Sequence, residues 1–322
     1  MKKWFWQIGI WIVAVAILWL VVREVPLRAV VRMLAGLRGW QVGVLGLLNG
    51  LVLLALNGRW WLLLRGLGYK LSFWPLLGHR LAAFGVSYFT PGPHFGGEPL
   101  QVLLVERQHG VPRATAIAAV SLDKTVELLL NFGFLAFGVL LVLQTGLFGA
   151  ALEERTAVWL LLLLLPPSLY LWLIWRGRRP VTGLLRWLKF DGLATAVCHS
   201  EAQMNSLCQQ NPGALPAAIG LSVLSWVLMI AEFYLMAFFM GVPLTLVQLI
   251  ALLTAARVAY LLPLPGGLGT LEASQVWALG LMGFNPAAGL GLSLLIRLRD
   301  VALGLLGLWW GSQRMHMVWL RP

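Results

Sequence analysis

Charge is what this sequence has least of. Only 11% of its 322 residues are Asp, Glu, Lys or Arg, under half the roughly 25% of an ordinary soluble domain. Acids are the scarcer sign, with 12 Asp plus Glu against 24 Lys plus Arg. Cysteine occurs twice, at Cys198 and Cys208. That spacing fits no zinc or redox motif, so two reduced thiols are expected. No G-x-x-x-x-G-K-[ST] run is present, which excludes a phosphate-loop ATPase. There is no H-E-x-x-H and no Ser/His/Asp set at recognisable spacing. An enzyme would have to rest on isolated carboxylates. The chain is therefore expected to be no enzyme and to need no cofactor.

Apolar surface is what the chain has in excess. Hydrophobic residues make up 60% and the mean hydropathy is +0.83. A soluble core of this size has no use for so much apolar surface, whereas a bilayer replaces water around helices. The net charge of +12 would point to nucleic acid in a soluble protein. Here the basic residues sit mostly between apolar runs, as the positive-inside rule expects, so anionic lipid headgroups are the expected partners and nucleic acid is not.

Six apolar runs are long enough to span a bilayer, near 4–22, 41–64, 114–143, 156–175, 215–240 and 286–311. The first imitates a signal peptide, with Ala14-Val15-Ala16 as its cleavage site, but it continues to Val22 and reads as an uncleaved helix. Between the first two, Leu27, Val30, Val31, Leu34 and Leu37 recur at helical spacing with arginines elsewhere, which predicts an amphipathic helix on the membrane surface. The loop 176–214 opens with Arg176, Arg178, Arg179, Arg186 and Lys189, which places it in the cytoplasm. Six crossings then put both termini there too. The arginines of 23–38 fall on the opposite side, the one feature that runs against the rule.

Two further apolar segments are broken by Gly and Pro. The first, 75–110, contains TPGPHFGGEP from Thr90 to Pro99. The second, 245–284, contains LPLPGGLGTLE from Leu262 to Glu272. Pro and Gly runs interrupt the helical ladder, and irregular backbone at membrane depth survives only inside protein or beside water. Both segments are predicted to be re-entrant helix hairpins. They correspond at one shift: 265 − 91, 266 − 92, 272 − 98 and 286 − 112 are each 174. Three spans separate them, and an odd number inverts the second copy. The predicted fold is an all-α membrane protein of about six transmembrane helices plus two re-entrant hairpins in an inverted repeat. Residues 1–144 form its first half and 145–322 its second. Inverted repeats with broken helices are a recurrent transporter plan, with substrate near the midplane.

Charges inside apolar spans cost roughly 2.5–3.5 kcal/mol each on insertion scales unless paired or hydrated. Asp123, Lys124 and Glu127 sit in the third span, Glu232 in the fifth, Arg257 in the second hairpin, and Arg297, Arg299 and Asp300 in the sixth. Since 123 + 174 = 297, Asp123 and Arg297 occupy equivalent positions and are expected to pair or to flank one site. The alternative is an ion pair that merely holds the bundle. Glu98 and Glu272 follow glycine-rich turns at helix starts, with Pro99 suited to a first helical position and Thr270 to an N-cap. Each Glu either complements a helix dipole or helps the glycine amides, Gly97 and Gly267 among them, bind a phosphate. The expected substrate-binding set is Gly97, Glu98, Asp123, Lys124, Glu127, Glu232, Arg257, Gly267, Glu272, Arg297 and Asp300. No metal is expected. His79 and His109 are placed at membrane interfaces. The pairs Gly39/Gly43, Gly46/Gly50 and Gly307/Gly311 are read as close helix-packing positions.

ALNGRWWLLLR from Ala55 to Arg65, TPGPHFGGE at 90–98, SLDKTVELL at 121–129 and PLPGGLGTLEA at 263–273 together resemble the lysylphosphatidylglycerol synthase transmembrane-region family, also called flippase-like. The resemblance covers nearly the whole chain. It implies a bacterial inner-membrane protein like the flippase half of multiple peptide resistance factors, which moves aminoacylated phosphatidylglycerol between leaflets. Other members are linked to hopanoid or other lipid traffic. The aminoacyl transferase domain of some members has no counterpart here, so no synthase activity is implied. Three departures each weaken a cationic headgroup contact: Gln101 and Leu271 stand where the family often has Arg, and Asp123-Lys124 where it often has Glu-Arg. Lipid transport of an anionic, aminoacylated or polyprenyl/hopanoid-type lipid is the expected function. The alternative is a scaffold or accessory subunit for a lipid-synthesis enzyme, bound through 176–214. Expected partners are membrane lipids and, among proteins, a second copy of the chain or such an enzyme.

Overall fold

The structure is a computed structural model that describes residues 19, 27–90, 96–147, 162–262 and 264–319. The predicted first span, most of the first glycine-proline turn with His94, and the start of the fourth span lie outside the described residues. Among the described residues every regular element is helical. In chain order these are α1 (Leu27–Ala35), α2 (Gly39–Gly66), α3 (Phe73–Phe89), α4 (Glu98–His109), α5 (Arg113–Thr145), α6 (Leu165–Trp175), α7 (Pro180–Trp187), α8 (Asp191–Gln210), α9 (Ala214–Phe239), α10 (Leu246–Leu261), α11 (Thr270–Leu281) and α12 (Pro286–Trp319).

Apolar side chains around the whole circumference make α2, α5 and α9 long and apolar enough to cross a membrane. Their 28, 33 and 26 residues each exceed the roughly 20 that a bilayer requires. The 34 residues of α12 are long enough too, but Arg297, Arg299 and Asp300 interrupt its apolar run. By contrast α3, α4, α10 and α11 have 17, 12, 16 and 12 residues. At about 1.5 Å per residue none reaches the roughly 30 Å of a hydrocarbon core. Each short pair folds back on itself, α3 against α4 and α10 against α11.

The correspondence seen in the two turns extends to whole helices. Adding 174 to the bounds of α2, α3, α4 and α5 gives 213–240, 247–263, 272–283 and 287–319. The helices α9, α10, α11 and α12 run over 214–239, 246–261, 270–281 and 286–319, so no bound differs by more than two residues. Packing follows the same exchange: α2 lies along its own counterpart α9, α3 along α12, and α10 along α5. The α2–α9 contact is antiparallel. Trp40 meets Phe239 edge to face at 5.3 Å, Arg59 donates to the Ser222 hydroxyl at 2.9 Å, and Asn211 donates to the Gly66 carbonyl at 2.8 Å.

Glycine permits the closest approach. A Cβ on Gly85 would lie 2.5 Å from the Gly304 carbonyl oxygen, and one on Gly307 would run into the Leu81 backbone. Gly307 and Gly311 therefore are packing positions, where α12 meets α3. Among the described residues, a Cβ on Gly39, Gly43, Gly46 or Gly50 meets nothing within 4 Å. The amphipathic α1 forms as predicted, but it is docked rather than free: Val30 is buried with Ala287 and Leu290 at the start of α12.

Candidate functional site: ionised side chains within the helix bundle

One network is built by the first half and centres on Asp123 of α5. Arg59 of α2 approaches it in parallel, Nε to Oδ1 at 2.6 Å and Nη2 to Oδ2 at 3.0 Å. Arg80 of α3 donates to Oδ2 at 2.7 Å. Arg59 also donates to Glu127 at 3.4 Å. Lys124 binds Glu127 at 2.8 Å and Glu98 at 3.3 Å. Two-point guanidinium–carboxylate geometry is among the strongest a protein offers, and it fixes both side chains. The series Arg80–Asp123–Arg59–Glu127–Lys124–Glu98 has a drier half, Arg80, Asp123 and Arg59, and a wetter half, Glu127, Lys124 and Glu98. Side-chain exposure is 1% at Arg59 and 6% at Asp123, but 20% at Lys124, 25% at Glu98 and 33% at Glu127.

The second network lies at the turn between α10 and α11. Gly266, Gly267 and Gly269 hold φ of 53°, 65° and 81°, a left-handed region that side chains other than glycine's resist. These turns aim carbonyls inward. Arg297 of α12 donates to the Gly266 oxygen at 3.2 Å and the Gly267 oxygen at 2.9 Å. The same guanidinium grips both oxygens of Glu272, with Nη2 to Oε2 at 3.0 Å. Glu272 is wholly buried and accepts from the Gly269 amide at 2.9 Å. Beside it, Arg299 binds Glu232 of α9 at 3.0 Å and its neighbour Asp300 at 2.9 Å.

The two turns are related in chemistry. Glu98 accepts from the Gly96 amide at 2.8 Å, as Glu272 does from Gly269. Each Glu then takes a cation from the long helix that follows it, Lys124 or Arg297. The hairpins also meet. The ring of Tyr88, near the end of α3, packs against the place where a Cβ on Gly266 would stand, 3.2 Å away.

Arg257 of α10 differs from the other five cations. Among the described residues it has no carboxylate partner. Its guanidinium lies 4.6 Å from the Trp226 ring centre and 3.8 Å from the Met229 sulfur. Phe134 stacks on Trp226 with ring centres 4.5 Å apart. Among the described residues, the remaining cations, Arg59, Arg80, Lys124, Arg297 and Arg299, account for every ion pair to Glu98, Asp123, Glu127, Glu232, Glu272 and Asp300. Counting Arg257, six cations balance six carboxylates, so the one cation without a carboxylate is what neutralises the set as a whole.

Several expectations need correction. Asp123 and Arg297 do not pair: Asp123 is held by Arg59 and Arg80, and Arg297 by Glu272. The reason is the packing, which sets α5 against α10 and α12 against α3. The glycine amides are already used, Gly96 by Glu98, Gly97 by the Ser87 hydroxyl at 2.8 Å, and Gly269 by Glu272. Gly269 is the N-cap of α11 in place of Thr270, whose hydroxyl donates instead to the carbonyls of Ala259 and Gly267. His79 and His109 meet inside the protein. His79 is fully buried, with its Nε2 3.1 Å from that of His109.

Sequence reasoning passed over Arg59, Arg80 and Ser222. Arg59 carried the same signal as Asp123, a charge within an apolar run, and Arg80 follows Pro75 inside the first broken segment. Ser222 is one hydroxyl in an apolar helix and carried no signal of its own.

No curated protein and no solved structure matches this chain. The family described as "Lysylphosphatidylglycerol synthase TM region" matches it over residues 6–307, nearly its full length. With apolar helices of spanning length around a charged interior, the chain is an integral membrane protein, and it belongs to the lysylphosphatidylglycerol synthase transmembrane-region family.

Proposed function

We propose that this protein is a non-enzymatic, flippase-like carrier that moves an anionic, aminoacylated or polyprenyl/hopanoid-type lipid between leaflets of a bacterial inner membrane. The observation that carries this reading is the meeting of the two broken hairpins, Tyr88 against Gly266, with a glutamate–cation pair at each turn. The antiparallel α2–α9 contact supports an inverted repeat, because two spanning helices related in that way have their twofold in the membrane plane. The short helices of each hairpin then enter without crossing. Ionised groups in hydrocarbon are expensive and are retained where they serve transport. A headgroup moves along these groups while its acyl or prenyl tails stay in lipid.

Arg257 gives the reading its residue. A cation set against a ring and a thioether, with no carboxylate ion pair among the described residues, has capacity for an oxyanion, and Trp226 holds its guanidinium plane in place. The phosphate of a lipid headgroup is the ligand of matching charge and geometry. Leaflet-resolved lipid assays in proteoliposomes test this, comparing wild type with Glu98→Gln, Arg257→Gln and Arg297→Ala. Arg257→Gln breaks none of the ion pairs above but leaves the set at −1, so a melt in detergent accompanies the assay, and in the folded variant movement of phosphate-bearing lipid should fall at least tenfold. Equal movement by all four proteins would remove the site.

A scaffold for a lipid-synthesis enzyme remains the second reading. The observation in its favour is the exposed apolar surface of the segment between α6 and α8.

A further inference from the structure

That segment presents apolar side chains outward while its polar contacts face the protein. Helix α7 is fixed to α8 through Glu201, which is wholly buried. This carboxylate accepts from the amides of Val181 and Thr182 at 2.9 and 3.0 Å and from the Thr182 hydroxyl at 2.6 Å. Thr182 therefore marks the inward face. Leu184, Trp187 and Leu188 follow at i, i+3 and i+4, the spacing of a single stripe. They turn away from α8 and are 53%, 78% and 46% exposed. Phe190 and Leu193 continue the surface at 54% and 60%. Lys189, with φ 61°, is the only residue other than glycine with positive φ among the described residues. This left-handed turn redirects the chain at the end of α7, just before Phe190.

The cations sit on the same element. Arg176, Arg178, Arg179, Arg186 and Lys189 are all exposed, and Asp191 is the one exposed acid of 176–193, giving 5 − 1 = +4. Position within the molecule selects the partner. Helix α6 turns Leu165, Leu169, Trp172 and Trp175 outward, as a lipid-facing helix does, and Arg176 closes it by stacking over Trp172 at 4.4 Å. Only the residues 176–179 separate that aromatic end from α7. Leu171 and Ile174 share an apolar cluster with Leu63 and Leu207, so this end lies level with the end of α2. There Arg65 and Lys70 flank a groove of about 470 Å³ beside the start of α9. An aromatic belt, a ring of cations and an apolar stripe then occur at one depth, as in interfacial helices.

We propose that residues 176–193 form a docking element for an anionic lipid surface. Leu184, Trp187, Leu188 and Phe190 enter the boundary between headgroups and acyl chains, and the arginines and Lys189 take lipid phosphates. The element is separate from the ionised interior, so it stands whether or not the chain moves lipid.

The test uses the full chain in nanodiscs, with Cys198→Ser to remove the accessible thiol. A nitroxide is attached at Leu188→Cys, and its depth is read from the relative access of oxygen and a water-soluble nickel chelate. In discs of phosphatidylcholine with phosphatidylglycerol the probe should lie below the phosphates, and in phosphatidylcholine alone it should be shallower. Replacing Arg178, Arg179, Arg186 and Lys189 by Gln should remove the dependence on phosphatidylglycerol. The docked-to-undocked ratio should fall about fivefold for each cation neutralised. A control probe at Gln203→Cys on α8 should report water in both lipids. A Leu188 probe that stays aqueous in both discs, while the control reads normally, would overturn the proposal. So would a depth indifferent to phosphatidylglycerol, or a probe that is water-exposed in discs yet shielded by a protein in native membranes.

Discussion

Replacing Asp123 by Asn should damage this protein more than removing Arg80 beside it. Asp123 is 6% exposed at its side chain and accepts three charge-assisted bonds, two from Arg59 and one from Arg80. The first-half network holds Arg59, Arg80 and Lys124 against Glu98, Asp123 and Glu127, so 3 − 3 = 0. Asp123→Asn leaves +1, with two guanidinium groups facing each other across a neutral amide. Arg80→Leu leaves −1, but Arg59 still neutralises Asp123 from two points. Breaking a buried pair by removing one partner costs about 3–5 kcal/mol. At about 2 °C per kcal/mol for a chain of this size, Asp123→Asn should lower the unfolding midpoint in detergent by about 6–10 °C. Arg80→Leu, with one bond and 11% exposure, should lower it by less than half of that. The double variant restores 2 − 2 = 0, so it should be more stable than the sum of the two single effects predicts, by about 1 kcal/mol or more. Differential scanning fluorimetry of the four proteins reads all of this. An Asp123→Asn midpoint within about 2 °C of wild type, or strict additivity in the double variant, would refute the hub role.

Two other outcomes follow from packing and burial. Gly307→Leu and Gly85→Ala should each part α3 from α12 and destabilise the protein by several kcal/mol, since their Cβ positions fall on Leu81 and Gly304 backbone. Gly43→Ala has open space and should raise stability by about 0.5–1 kcal/mol, which the same melts compare. Cys208 is buried and Cys198 partly exposed, and burial raises the Cys208 pKa. A higher pKa means less thiolate at pH 8, so maleimide should modify Cys198 first. Cys208 should react only as the pH rises further or after denaturant is added, and mass spectrometry of the two peptides resolves the order.

Much of this architecture was legible because hydrocarbon is a simple solvent. A run apolar on every face has one use, and the predicted spans 41–64, 114–143 and 215–240 differ from α2, α5 and α9 by no more than two residues at any end. The broken hairpins were legible for a related reason: Pro and Gly interrupt hydrogen bonding wherever they cluster, and Leu262 to Thr270 holds five such residues. The repeat was visible in those turns alone, because apolar helices can exchange Leu, Val and Ile without losing their fold and so lose internal similarity first. The structure extends the 174-residue shift to four helices that no residue-by-residue match would have joined.

The pairing of charges was not legible, and the repeat itself shows why. At the counterparts of Arg59 and Arg80 stand Phe233 and Thr254, and at those of Glu232, Arg257, Arg299 and Asp300 stand Gly58, Ala83, Thr125 and Val126. Backbone geometry is shared between the halves while the charges are not, apart from Glu98 and Glu272. Equivalent positions therefore promise similar surroundings only in shape. Asp123 and Arg297 share a place in the fold, but each finds its partner on helices whose charges belong to one half alone. Opposite sign at matched positions was thus evidence of divergence rather than of contact. Which carboxylate a cation meets depends on the rotation of long helices, at 100° per residue, and an apolar run leaves that rotation unmarked. Glu98 and Glu272 escaped this limit because a turn fixes them: the glycine amide that each accepts lies two or three residues away, close enough for sequence to show it.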